Sequence, residues 1–163
     1  MNFVNFLSGL KLLPEKKLLE LYPPFFFMGV TVKSVAKDYR KLHLQLPQRW
    51  YSGNMHGTIF GGFICAVSDP LPVLLLARII PGTQVWTKSQ KVEFLKPGKG
   101  RLDLIVTISE DDVSQIKTAL QSKGSSTHTF FYSFKDKRGR VVAEVANTVY
   151  IRKKEKASSS QLV

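Results

Sequence analysis

The stretch NMHGTIFGGFICAVSDPLPVLLLARII, residues Asn54–Ile80, decides how the rest of the chain is read. Gly61 and Gly62 open a run of small and apolar residues through Val67, and Leu71, Leu74, Leu75, Leu76, Ile79 and Ile80 continue it. An element apolar on all sides is either buried in a core or inserted in a bilayer. Thr58–Ile80 is long enough to span a bilayer. Asp69, Arg78, two glycines and two prolines inside it favour a buried core helix, since charges are costly in lipid.

Asp69 is the one carboxylate of the stretch, seven residues after Gly62 and so close to two helical turns away on the same face. Pro70 and Pro72 cannot donate to the carbonyls of Ala66 and Ser68, which predicts a kink or pause beside Asp69. The Gly61-Gly62 start exposes backbone N–H groups and the positive end of the helix dipole. A carboxylate and fixed donors on one face suit acyl transfer, in which donors meet a developing oxyanion. Pattern alone leaves two other roles open: Asp69 pairs with Arg78, or it caps a second helical segment beginning at Pro70.

Outside this stretch, 163 residues with 44% hydrophobic content support one domain with one core. The formal net charge is +12; residues 152–163 hold four basic residues and one acidic residue, leaving +9 on residues 1–151. The basic character therefore belongs to the folded body and implies an anionic partner: a phosphorylated cofactor, nucleic acid or an anionic membrane surface. Nucleic acid is disfavoured, because no RNP-like, zinc or basic-helix motif is present. Lone Cys65 excludes an internal disulfide and a multi-cysteine metal site, and it fits a reducing, cytoplasmic setting. Neither a metal nor a cofactor is expected.

Residues 2–22 read as two short helices, with Pro14 at a first helical position and Leu18, Leu19 and Leu21 on one face. Lysines interrupt the apolar start and no small-residue cleavage site follows, so a signal peptide is not expected. Residues 1–27 remain a candidate for peripheral membrane contact, or pack on the domain or a partner subunit. Pro23-Pro24 is expected to end the helical part, with Phe25–Phe27 leading into strands. Period-two alternation over residues 30–36 and 41–46 predicts a hairpin. Strands are expected at 84–95, 102–108, 127–134 and 141–151. Between the second and third of these, Ser109 is a predicted N-cap for a helix ending near Gly124, its acidic start facing solvent. Residues 152–163 read as a disordered, solvated basic tail. Trp50, Trp86 and Cys65 are assigned to core packing, with an acyl tunnel the other reading for the tryptophans, and His128 to a surface or interface. Strands segregated from one central helix give an α+β domain, a curled antiparallel sheet burying that helix on every side.

Asn54-x-x-Gly57-x-x-Phe60-Gly61-Gly62, followed by Asp69, resembles the motif of hotdog-fold acyl-CoA thioesterases of the phenylacetate-pathway type, Asn-x-x-Gly-x-x-His-Gly-Gly with an acidic residue seven positions on. Val85-x-Thr87 and Phe94-Leu95-Lys96-Pro97-Gly98 are similar to the family's strand after the helix and its Phe-x-(Arg/Lys)-Pro turn. The resemblance covers about residues 28–151 and looks closest to an uncharacterised branch. It implies a hotdog domain over 28–151 after an N-terminal helical segment, and a homodimer or homotetramer with acyl-CoA sites at the subunit interface. It further implies Asp69 as base or nucleophile, Gly61 or Gly62 N–H as oxyanion donors, and Asn54 orienting water or the thioester. Phe60 stands where the family has histidine. His56, Thr58, Phe60, Trp86 and Thr87 are the candidate substrate-binding residues, His56 being open also to an incidental role in its loop. The expectation is a thioesterase, with a non-catalytic acyl-CoA or lipid-binding protein as the rival.

Overall fold

The computed structural model describes residues 14–154. The elements are α1 (Glu15–Glu20), α2 (Pro23–Met28), β1 (Thr31–Val35), β2 (Lys41–Pro47), α3 (Gly61–Ser68), α4 (Leu71–Ile79), β3 (Thr83–Phe94), β4 (Arg101–Thr107), α5 (Glu110–Lys123), β5 (Ser125–Lys135) and β6 (Val141–Lys153). The six strands form one antiparallel sheet in the order β1-β2-β4-β5-β6-β3, curled around α3 and α4: the hotdog fold. Part of the region expected to be helical before residue 14, and the tail after 154, lie outside the described residues.

Period-two alternation places Leu42, Leu44 and Leu46 of β2, Leu102, Leu104 and Val106 of β4 and Val145, Val149 and Ile151 of β6 on the inner face. Ile64, Val67, Leu71, Leu75 and Leu76 of the helices are buried against them. At about 25 cal/mol per Å2 of apolar area removed from water, this burial supplies the main stabilising term of the domain. α5 starts with a capping box at Ser109 and Asp112, ends on left-handed Gly124, and packs Ile116 and Leu120 beneath β5.

Three expectations are corrected. Pro23-Pro24 begins a helix instead of ending one: proline at the first two helical positions gives up N–H groups that have no intrahelical acceptor there, and left-handed Gly29 ends the turn. The sheet covers one side of α3 and leaves Gly62, Ala66 and Asp69 exposed, so the helix is not enclosed. Trp50 is 93% exposed and Trp86 stands on the outer sheet face, so neither is core; Cys65 is half-buried. The acidic start of α5 faces solvent at Glu110 and Asp111 as expected; Asp112 is half-buried with His128 2.8 Å from its Oδ1, and exposed Glu110 pairs with Arg40 at 2.7 Å. Gly61–Ile79 is apolar and long enough to cross a membrane by length and composition, yet here it is broken beside Asp69 and packed on the sheet.

Candidate functional site

The helix does pause where the prolines require it. α3 ends at Ser68, Asp69 is its C-cap, and α4 begins at Leu71. Carbonyls around the break, that of Ser68 among them, find partners on the sheet. Tyr132 Oη donates to Ser68 O at 2.7 Å; Asn147 Nδ2 donates to Asp69 O at 2.9 Å and to Tyr132 Oη at 3.1 Å. Thr87 Oγ1 donates to Asp69 O at 3.1 Å, and Gln90 Nε2 donates to Cys65 O at 3.2 Å and to Ser68 Oγ. Asn147 is fully buried and its Oδ1 has no partner among the described residues. Its amide orientation is nevertheless set, because a carbonyl oxygen turned toward Asp69 O would repel it. The bond to Ser68 O satisfies a buried group that would otherwise be unpaired, at about 1–3 kcal/mol, whereas Cys65 O already accepts from Asp69 N–H at 3.1 Å. Together these bonds fix the place of Asp69.

The Asp69 side chain itself is exposed, on the side of α3 turned away from the core. Arg78, the alternative partner, pairs instead with Glu15 at 3.2 Å and lies over the Tyr39 ring. The Asp69 charge is felt by two phenols. Burial, opposed by the Asn147 hydrogen bond and aided by Asp69, pushes Tyr132 far above the usual phenol range; burial and then Asp69 also raise Tyr22. Both phenols stay protonated and able to donate at neutral pH.

Gly61 and Gly62 open α3, and their N–H groups have no partner among the described residues, as expected of a helix's first turn. A phenylalanine ring lies close to each glycine. A Cβ on Gly61 would lie 3.0 Å from Phe94 Cζ, and one on Gly62 would lie 2.3 Å from Phe60 Cε1. Phe60 thus covers the start of the helix, while remaining 54% exposed. Asn54 uses its Oδ1 to hold its own loop, accepting from the N–H groups of His56 and Thr58 at 3.0 and 3.2 Å and from Thr58 Oγ1 at 3.1 Å. Thr58 is buried by that role, and His56 is exposed at the loop tip.

Asp69 and Thr87 are therefore brought together, as are Phe60, Gly61 and Gly62. Between the two groups lie roughly 10 Å of helix at 1.5 Å per residue. Trp86 is separated from both: Thr87 faces the helix, so its neighbour faces outward, where it stacks on Tyr150 at 4.7 Å and beneath Arg152. A depression of about 460 Å3 on that outer face, between Lys91, Phe131 and Glu144, is also remote from Asp69. Among the described residues no cluster of three His, Cys, Asp or Glu side chains could hold a metal. Sequence reading missed Asn147, Tyr132, Gln90 and Tyr22. For Tyr132 and Asn147 alone the prolines gave a signal, by predicting a Ser68 carbonyl in need of donors.

The fold is shared with proteins of known structure. The Pseudomonas aeruginosa protein PA5026, called a protein of unknown function and probable thioesterase, superposes with a TM-score of 0.77 at 19% identity, covering 87% of this chain and 97% of its own. The thioesterase HI1161 of Haemophilus influenzae gives 0.65 at 11% identity, covering 85% and 89%. The E. coli PaaI protein from the phenylacetic acid degradation operon gives 0.62 at 13%, covering 85% and 89%. No curated protein matches the sequence. At these identities the likeness shows the hotdog fold alone. Through a family match over residues 13–151, the chain belongs to the family described as a domain of unknown function, DUF4442.

Proposed function

We propose that the protein hydrolyses an acyl-CoA-like thioester at an interface between two copies of itself. The observation that carries this reading is the exposed Asp69 carboxylate on the same face as the unpartnered N–H groups that start α3, beside the uncovered edge of β3. Within one chain these groups stand roughly 10 Å apart, too far to act on a single carbonyl carbon. Antiparallel pairing of two β3 edges would bring the helix start of one copy toward Asp69 of the other.

In such a site a water oxygen attacks the thioester carbon while Asp69 accepts its proton. Gly61 or Gly62 N–H holds the tetrahedral oxyanion. The C–S bond then breaks, and the leaving thiolate takes the proton back from Asp69, giving a carboxylic acid and a thiol. Thr87 and Asn147 hold the Asp69 backbone during this sequence. The amide nitrogen of Asn54 remains a donor for water or thioester, since only its Oδ1 is used by the loop. The formal charge of +12 favours the phosphates of a CoA-type carrier.

One observation favours the rival reading, an acyl-CoA-binding protein without turnover: the Phe60 ring lies over Gly62, where a hydrogen-bonding imidazole stands in the thioesterases it resembles. Free-thiol release across a series of acyl lengths separates the two. Asp69→Asn should lower hydrolysis about a hundredfold or more while acyl-CoA binding and melting temperature persist, because the side chain is exposed. Phe60→His should raise turnover. Binding by the wild type without thiol release above background would leave the binding protein as the reading.

A further inference from the structure

The loops at one end of the sheet carry features that hydrolysis does not use. Strand pairing brings Thr31 to Gln45, Pro47 to Arg101, Asp103 to Lys135 and Lys135 to Val141, so the segments next to these positions share that end. They are tied to one another. Gln48 Oε1 accepts from Gly100 N–H at 2.8 Å, Gln48 Nε2 donates to Gly57 O at 3.0 Å, Ile59 N–H donates to Gly98 O at 2.8 Å, and Lys96 N–H donates to Val142 O at 3.1 Å. Arg49 Nε and Tyr51 Oη both approach Gly29, the cap of α2, to within 3.3 Å of where a Cβ would stand. The end of α2, loop 48–60 and the turns at 95–101 and 136–140 thus form one surface.

Its composition is unusual in two ways at once. Phe26, Phe27, Trp50, Met55, Phe60 and Leu95 are all exposed, Phe27 to 73%, Trp50 to 93% and Met55 to 100%. Arg49, Lys96, Lys99 and Arg101 stand among them, and Lys135, Lys137, Arg138 and Arg140 on the neighbouring turn. Of the chain's 12 acidic residues, these loops carry only Asp136, which is taken up by Arg140 at 2.7 Å, and Asp103 at their base lies 3.9 Å from Arg101. The acids Asp38, Glu110, Asp111 and Asp112 gather at the opposite end, at the β1–β2 turn and the start of α5.

We infer that this end of the molecule docks on an anionic lipid bilayer. Trp50, with its polar N–H, favours the interfacial zone of a bilayer, Phe26, Phe27 and Phe60 offer apolar rings to its acyl side, and basic residues beside them meet anionic headgroups. A second copy of the chain fits poorly, because two-fold pairing of the surface would set like charges face to face. Single-stranded nucleic acid would use the charge and the aromatic rings, but Met55 and Leu95 offer no ring for a base, and Trp50 meets Tyr51 edge-on at 89° instead of forming a stacked platform. Phe60 belongs to this surface and also covers the start of α3, so an acyl chain leaving the bilayer would meet that helix start first. Docking itself stands apart from the hydrolysis proposed above.

Full-length protein is mixed with phosphatidylcholine vesicles, with and without phosphatidylglycerol, and sedimented. It should pellet with the anionic vesicles, with a blue shift in tryptophan emission that Trp50→Phe abolishes. Phe27→Ser with Trp50→Ser, and separately Lys99→Glu with Arg138→Glu, should each weaken partition about tenfold or more, with thermal melting confirming a folded chain. Lys123→Glu with Lys153→Glu, an equal charge change at the opposite end, should alter it by no more than about twofold. Absence of pelleting, equal partition to neutral vesicles, or equal weakening by the opposite-end pair would overturn the inference. So would a Phe27/Trp50 pair that alters the sedimented oligomer and not vesicle binding, or surface variants that lose single-stranded DNA while vesicle binding is unchanged.

Discussion

The two edges of the sheet are treated differently. β1, at one edge, is five residues long and bulged between Val32 and Ser34. α1 packs beside it, and Val32 N–H donates to Glu20 Oε1 at 3.0 Å, so a backbone donor at that edge is already used. β3, at the other edge, runs for 12 residues with no described element along its outer side. Short, bulged and covered is how a protein closes an edge against further pairing; long and uncovered is how an edge is left available. The difference marks β3 as the edge for assembly, and β3 is also the strand whose Thr87 and Gln90 hold the break beside Asp69.

The largest effect is expected from closing the open edge. Lys88 is skipped in the β3–β6 register, between Thr87 opposite Val149 and Ser89 opposite Thr148. Proline is tolerated at such a bulge, so Lys88→Pro should leave the protomer folded while blocking a neighbour. Sedimentation should then give a monomer where the wild type gives a dimer or larger, and thiol release should vanish with the assembly. A wild type that is monomeric at micromolar concentration would break the comparison outright.

A smaller effect is expected from opening the closed edge. Glu20→Gln keeps the shape of the side chain but weakens its bond to Val32 and its ion pair with Lys17 at 2.8 Å. The cost should be about 1 kcal/mol, or roughly 3 °C in melting temperature, with unchanged oligomeric state. A gain in oligomer size would show that Glu20 was holding β1 closed against pairing.

The smallest effect is a pH dependence that Glu20 shares with groups away from the edge. Burial raises the Glu20 carboxyl, but the Lys17 ammonium and the Val32 N–H outweigh it, leaving it below its ordinary value. Asp103 and Asp112 are likewise lowered against their burial, Asp103 by Gln45 and His43, Asp112 by Ser109 and His128. A depressed folded-state pKa contributes stability that is complete above the unfolded value, near 4 for these carboxyls, and is lost as pH falls through the folded value. Melting temperature should therefore be flat in these terms from neutrality to about pH 5 and decline below that. Glu20→Gln should decline less steeply, and identical slopes would assign the acid sensitivity to the other carboxyls.

Much of the architecture was written locally. The Leu42-Leu44-Leu46 and Leu102-Leu104-Val106 alternations specify strands with one buried face, and Ser109 with Asp112 and Gly124 specify both ends of α5. The break beside Asp69 followed from two missing N–H groups. The α2 helix was misread because Pro23-Pro24 is equally compatible with ending one helix and starting the next, and Phe25 is buried only by the body it packs on. The tryptophans were misread because an apolar ring carries no mark of whether a core or a surface receives it.

The strand alternations, the glycines at the start of α3 and the interruption at Pro70 and Pro72 were legible along the chain, because periods, caps and missing donors act over a few neighbouring residues; the hotdog fold was implied by the motif's resemblance to a family. Tertiary structure alone decided which donors meet the carbonyls around the break, with Asn147 and Tyr132 arriving from strands more than 60 positions away. It alone turned Asp69 outward, left β3 open while β1 was closed, and gathered cations and aromatic rings from distant loops onto one end of the sheet. These outcomes depend on strand order and register, which join residues far apart in the chain.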